Sequence, residues 1–323
     1  MSDPRICIIG AGRLSSRRIY PYIGAAGAQL VGVCDLDGEK AATNARRFGG
    51  TPYTDMDAML AAEKPDGVII CVGPEGHARL APLVLKRGIP VYTEKPPAPS
   101  AADALAVARA AKEAGVLCMT AFKKRYAACY QRAKEWLASF PEDQHASLSI
   151  DYASGGYGEK GEGFLLDFAI HAIDLVGYLM GDVKRVACFA RQMDAYAVAL
   201  EFASGAVGTM NLTRCRSFMV PTEEVELTVK GGNFMTIHNS SSWRLTAGEK
   251  PGEWREPPTF ISAGDSGNDT GHLAEITEFV TAIQEGRSTR SQVYESYKSM
   301  VLFEAIRDAA AAGKMVDVSY KEM

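Results

Sequence analysis

The sequence predicts an α/β chain in two parts: an N-terminal domain built on a doubly wound parallel sheet, then a C-terminal α+β domain with a mainly antiparallel sheet. Three observations predict it. Short apolar runs alternate with amphipathic stretches over the first third, as parallel strands joined by crossover helices require. After about Ala121 the texture changes to consecutive alternating runs joined by short turns. Finally, 323 residues with 47% hydrophobic content are more than one ordinary core accommodates. The expected division is residues 1–121 and 122–323.

The elements follow in order. Arg5 to Ile9 and Gln29 to Cys34 read as the first two strands. Leu14 to Ala25 between them has helical spacing, and Pro21 predicts a kink or break there. Gly67 to Val72 is apolar throughout, as in a strand buried on both faces, and Pro90 to Thr93 and Val116 to Thr120 follow the same logic. The alanine-rich Ala101 to Ala114 is a helix. Ser147 to Ala153, Arg185 to Gln192, Ala195 to Phe202, Ala206 to Thr213 and Glu223 to Val229 are strands, with turns at Ala203 to Gly205 and Gly231 to Asn233. Leu273 to Gln284 and Tyr294 to Ala312 are closing helices, stopped by Gly286 and Gly313.

Composition excludes several classes of function. A formal charge of −4 gives no reason to expect a nucleic-acid partner. No apolar run approaches the roughly 20 residues that cross a bilayer, so a cytoplasmic protein is expected. The seven cysteines are scattered without CxxC spacing, which reads as buried reduced thiols; the histidines lack partners at ligand spacing, so no metal is implied.

Directly after the first strand stand Gly10, Ala11, Gly12, Arg13, Leu14 and Ser15, a GxGxxG pattern with serine in the last place. The motif follows a strand, opens a helix, and is followed about twenty residues later by Asp35 at the end of the second strand. That context is the dinucleotide-binding fingerprint of a Rossmann domain. Gly10 permits the tight turn, Gly12 lets backbone approach a pyrophosphate, and the helix start offers unpaired N–H groups. Ser15 is small enough to keep helix and sheet close. Asp35 can accept from both ribose hydroxyls and would repel a 2′-phosphate, which favours NAD over NADP. The competing reading makes the glycines a structural turn and Asp35 a cap. Arg13 either reaches a phosphate or lies in solvent.

Two further stretches carry a resemblance. One is Val72, Gly73, Pro74, Glu75, Gly76 and His77 at a strand end, followed by Gly88 to Pro97 containing Glu94, Lys95 and Pro96; the other is Gly161 to Asp174, containing Asp167, His171 and Asp174. With the glycine loop, these resemble the Gfo/Idh/MocA family, the glucose-fructose oxidoreductase and inositol dehydrogenase group. The resemblance implies an oxidoreductase with a Rossmann domain and a second domain built on a large open sheet. It places Val72, Pro74, His77, Glu94 and Lys95 at the cofactor. It also implies a homodimer or homotetramer through the outer face of the sheet. Lys123, Lys124, Arg125, Tyr126, Ala127 and Ala128 stand where the family often has Asn-x-Arg-Phe-x-Pro, and Ala169 replaces a common glycine.

Taking hydride from a secondary alcohol requires a base for the hydroxyl proton, and His171, with an ordinary imidazole pKa near 6.5, suits that work. Asp167, four residues earlier, falls on the same face of a helix and either orients the imidazole or binds a substrate hydroxyl. Lys95 follows a strand end, where its ammonium can stabilise the reacting oxygen; a neutral Lys95 acting as base is the competing assignment. Pro96 restricts the Lys95 backbone. Asp174 either supports His171 or is a helix-surface charge, and His77 either touches cofactor or is structural. Tyr126, Tyr152 and Tyr157 either line a sugar pocket or pack ordinarily. The loop Gly155 to Gly163, with five glycines, is either a mobile segment over the site or a plain surface loop.

The expected function is therefore an NAD-dependent dehydrogenase or reductase acting on a sugar, cyclitol or sugar derivative. Two alternatives stand beside it: a glycosidase using transient oxidation by NAD, and a sensor that keeps the fold without turnover. Joint retention of Lys95, Asp167 and His171 argues against the sensor.

Overall fold

The computed structural model describes residues 3–156, 163–257 and 270–323. Tyr157 and most of the glycine-rich loop, including Gly161 and Glu162 of the third motif, lie outside them. The chain forms two compact units. The first runs to Lys123 and also takes Gly271–Tyr297 and Met323; the second takes Lys124–Thr270 and Lys298–Glu322.

The first unit is a six-stranded sheet in the order β3-β2-β1-β4-β5-β6, with every neighbouring pair parallel. Its strands are β1 (Arg5–Ile9), β2 (Gln29–Cys34), β3 (Thr51–Tyr53), β4 (Gly67–Ile70), β5 (Val91–Thr93) and β6 (Cys118–Thr120). β1 and β4 are apolar on both faces because both faces are covered: Ile6, Cys7, Ile8, Val68, Ile69 and Ile70 are fully buried. Strand order reverses between β1 and β4, which marks the carboxyl ends of those two strands as the place where an open α/β sheet takes ligands. The helices are α1 (Arg13–Arg18), α2 (Gly38–Phe48), α3 (Met56–Glu63), α4 (Pro74–Leu85) and α5 (Ala101–Ala114). α1 stops before Pro21, which sits instead in a 3-10 turn, Tyr20–Tyr22, so the expected break is present.

The second unit holds a nine-stranded sheet in which every neighbouring pair is antiparallel except the parallel pair β7 and β10. In chain order its strands are β7 (His145–Ala153), β8 (Val183–Arg191), β9 (Ala195–Phe202), β10 (Val207–Thr213), β11 (Thr222–Val229), β12 (Asn233–His238), β13 (Ser242–Ala247), β14 (Lys250–Arg255) and β15 (Val316–Asp317). Buried and exposed residues alternate along β9, β10 and β11, so one face is packed and the other is open. The β9–β10 and β11–β12 turns use Gly205, Gly231 and Gly232 at positive φ. α6 (Ala128–Ala138) and α7 (Ile170–Met180) pack on each other, and α7 lies against β7.

The closing helices are α8 (His272–Glu285) and α9 (Val293–Ala312). The first packs within the unit that holds the Rossmann sheet. The reason is the apolar face of α8. Ile276, Phe279 and Val280 are buried, the Phe279 ring lies 5.7 Å from that of Tyr92, and a Cβ on Gly67 would stand 2.6 Å from Ile283. No helix among the described residues is long and apolar enough to cross a membrane.

Candidate functional site

The glycine loop leaves β1 at the strand-order reversal. Gly10 has φ +107° and donates its N–H to the Cys34 carbonyl at 2.8 Å; a Cβ there would stand 2.0 Å from the Cys71 carbonyl oxygen, so only glycine fits. Gly12 differs. It is the N-cap of α1, its φ is an ordinary −77°, and a Cβ would meet no protein atom within 4 Å. The loop carbonyls are tied inward: Ala11 O accepts from Asn44 Nδ2 at 3.3 Å, and Gly12 O accepts from Ser15 and Ser16 hydroxyls at 3.0 and 2.7 Å. The start of α1 has no side-chain cap and no acid in its first turn. Uncapped N–H groups beside an open face suit a phosphate, so these residues fit a dinucleotide.

Asp35 reaches this loop directly. Its Oδ2 accepts the Ala11 N–H at 2.7 Å and its Oδ1 accepts the Asp37 N–H at 2.9 Å, so the carboxylate caps the loop as the competing reading required. Each oxygen keeps a further lone pair, so capping does not prevent it from accepting ribose hydroxyls. Arg13 and Leu14 are exposed and Ser15 is fully buried, as packing of a short helix onto the sheet requires.

At the ends of β4 and β5 the structure gives His77 a different role from cofactor contact. The ring is fully buried on α4; Nε2 accepts the Val72 N–H at 3.2 Å, which leaves Nδ1 to donate to the Pro96 carbonyl at 2.9 Å. Burial pushes its pKa down to about 4. His77 is thus a neutral strut between the Val72 turn and the Lys95–Pro96 turn, whose peptide bond is cis. Val72 and Gly73 are exposed, and Pro74 opens α4 at its first position. Glu94 is buried and accepts the Lys95 N–H at 2.9 Å, while Lys95 itself is half-buried. Behind them Glu275 of α8 is fully buried; burial, then the Glu94 charge, raises its carboxyl well above the usual range.

In the second unit Asp167 does not lie on an α-helix. Phe164–Ala169 is π-helical and passes into α7 at Ile170, so the four-residue spacing to His171 crosses a change of helical winding. Asp167 is exposed, whereas His171 is buried with 9% of its surface accessible. Tyr152 is buried and stacks on Phe168, with centroids 4.5 Å apart; Tyr126 is also buried.

Two buried ion pairs next to these residues have no counterpart in the sequence reading. Lys124 pairs with Glu223, with Ser240 and Tyr130 hydroxyls also on that carboxylate, and its Nζ stands 5.3 Å over the Tyr152 ring. Burial opposes Glu223 ionisation, but Lys124 and the three hydrogen bonds outweigh it and hold the pKa low. Arg125 grips Asp174 with Nε to Oδ2 at 2.8 Å and Nη2 to Oδ1 at 2.7 Å. Asp174 is fully buried, which removes the surface-charge reading. The one signal for both pairs is basic residues inside an apolar run, Ala121 to Ala127, where a solvated charge is out of place.

Comparison with known proteins gives the class. A family profile described as the oxidoreductase family's NAD-binding Rossmann fold matches residues 4–122, and its C-terminal alpha/beta domain matches residues 151–318. The chain belongs to the Gfo/Idh/MocA oxidoreductase family. It is 26% identical to a D-apiose dehydrogenase of Paraburkholderia graminis, over 98% of this chain and 90% of that protein. It is 23% identical to a D-xylose 1-dehydrogenase (NADP(+)) of Haloferax volcanii, covering 96% and 98%. A levoglucosan dehydrogenase solved with NADH and L-sorbose superposes with a TM-score of 0.86 at 20% identity, covering 99% of this chain and all of that one, which shows a shared fold.

Proposed function

We propose that this oxidoreductase uses NAD in preference to NADP and oxidises a secondary hydroxyl of a sugar, cyclitol or sugar derivative, or reduces the corresponding ketone. Lys95, Asp167 and His171 are its catalytic residues. The observation that carries the reading is their joint presence on a chain of this family; the carboxylate of Asp35 on the glycine loop, 2.7 Å from Ala11 N, supports the choice of NAD. The sugar class is supported by the names of the relatives.

Bound nicotinamide supplies the hydride acceptor or donor. The chain's residues handle the proton and the charge. His171 takes the hydroxyl proton as the C–H hydride departs and returns it in reduction, the work of an imidazole as general base and acid. Lys95 stabilises the negative charge that grows on the oxygen. Asp167 orients the imidazole or holds a neighbouring hydroxyl. Tyr152 and Tyr126, already packed in the interior, shape the surroundings more than they present free faces. Seven cysteines, all reduced, suit a cytoplasmic enzyme, and the open sheet face with Phe189 82% exposed suits a homo-oligomer.

The test is a panel of aldoses, cyclitols and sugar acids with each nicotinamide, followed by absorbance of the reduced cofactor. Net reduced cofactor with NAD is the expected result. Lys95→Ala and His171→Ala are each expected to lower kcat by about 10²–10⁴-fold. Turnover that survives both substitutions at the wild-type rate overturns the assignment, and substrate conversion without net reduced cofactor overturns the net redox reading.

A further inference from the structure

Helix α7 is closed at its C-terminal end by Gly181, whose N–H donates to the Gly177 carbonyl, but its start has no such restraint. Neither the π-helical segment nor α7 has a side-chain N-cap, and most of the side chains that α7 buries are apolar: Ile170, Ala172, Ile173, Leu175 and Val176 are all at 0% exposure. Apolar contacts resist separation but are not directional, so they leave the rotation of a helix about its axis weakly specified. A set of directional contacts holds the helix one turn beyond His171. Arg125 holds Asp174 in a bidentate pair and lies 5.3 Å from the Tyr178 ring centroid, one turn further on. Ser299 of α9 donates to Asp174 Oδ1 at 2.7 Å, and Lys134 of α6 donates to the Leu179 carbonyl at 3.4 Å.

We infer that Arg125 and Asp174 are positioning residues: their buried fork fixes the rotation of α7 and so the aim of the His171 imidazole. A fully buried ion pair contributes little net stability over an apolar pair of similar volume, because desolvation offsets attraction. What it supplies is direction, since two parallel N–H···O bonds to one carboxylate are satisfied at one rotation only. The inference rests on His171 as proton carrier, and its test separates the two claims.

Arg125→Lys, Asp174→Asn, Ser299→Ala and His171→Gln are compared in the full chain. The measurements are kcat with its pH profile, NAD affinity by fluorescence titration, and the nitrogen–proton spectrum of the histidine rings. Asp174→Asn and Arg125→Lys are expected to lower kcat by about ten- to a hundredfold, the cost of misplacing a catalytic group by up to an ångström, and to change the pH profile. NAD affinity is expected to change less than about twofold, because the glycine loop is untouched. The ring resonance that disappears in His171→Gln is expected to shift in both variants. Where either fails to fold, Ser299→Ala retains both charges and is expected to lower kcat about threefold with a smaller shift of the same resonance. Lower melting temperatures with unchanged kcat per folded molecule and an unchanged His171 resonance overturn the inference. Full turnover by His171→Gln overturns the catalytic reading instead, and the resonance still reports whether the fork sets the ring.

Discussion

The glycine loop of the first unit and the polar interior of the second are built on opposite principles. The loop is made of backbone: Gly10 is pressed against the Cys71 carbonyl, Gly12 is open, and Asp35, 24 residues from Ala11, closes the turn. Its buried supporting side chain, His77, is neutral. The second unit sets charge into an apolar interior, with Lys124 and Glu223 meeting across 99 residues and Arg125 and Asp174 across 49. A backbone site is specified locally and changes mostly by what a side chain would obstruct. A site of buried charges is specified at long range, and losing one member leaves its partner without compensation.

The largest effect expected from this contrast is at Glu223. Glu223→Ala strands the Lys124 ammonium, whose side chain is 7% exposed, and removes the acceptor of the Tyr130 and Ser240 hydroxyls. Loss of about 3–5 kcal/mol is expected in urea unfolding at neutral pH. The double variant Lys124→Met/Glu223→Leu removes both charges and is expected to recover most of it. A cost below about 1 kcal/mol for Glu223→Ala means that the pair is solvated, and the contrast between the units disappears.

His77 gives the next effect, and pH reads it. Burial lowers its folded pKa from 6.5 to about 4, so between those values the unfolded chain binds the proton that the folded one refuses. Stability from this group is complete above pH 6.5, declines as pH falls, and is lost by about pH 4, an amount of about 3 kcal/mol. The urea midpoint of the wild type is expected to fall more steeply over that window than that of His77→Gln, which has no titrating ring. Equal slopes mean that the ring protonates in the folded state without penalty.

The same division explains what was legible in the sequence. Arg5–Ile9, Gln29–Cys34 and Ala101–Ala114 have the bounds the sequence suggested, because an apolar run between glycines and an alanine-rich stretch are local facts. The glycine loop and Asp35 were readable for the same reason. The return of α8 to the Rossmann sheet was not, since amphipathic spacing shows that a helix has a buried face without showing which sheet covers it. Spacing of four between Asp167 and His171 suggested one α-helical face, but nothing local announces the π-helical winding. The partners of Lys124 and Arg125 were hidden because those acids are 99 and 49 residues away, beyond the reach of any local pattern.

The smallest effect on stability is expected at Gly12, and it tests the cofactor site most directly. At Gly12 a Cβ would meet no protein atom within 4 Å and the backbone needs no positive φ, so Gly12→Ala costs under about 1 kcal/mol, the difference between glycine and alanine at an N-cap. Nothing inside the protein therefore requires glycine there. If the requirement is a pyrophosphate lying against the backbone, the added methyl obstructs it at a cost of about 1–3 kcal/mol, which weakens NAD binding about 5- to 150-fold. Thermal melting without ligand and a fluorescence titration with NAD separate the two quantities. An unchanged melting temperature with weakened NAD binding places the cofactor on the loop. Unchanged NAD binding removes it from Gly12, because an open Cβ position that tolerates a methyl group is not where a phosphate rests.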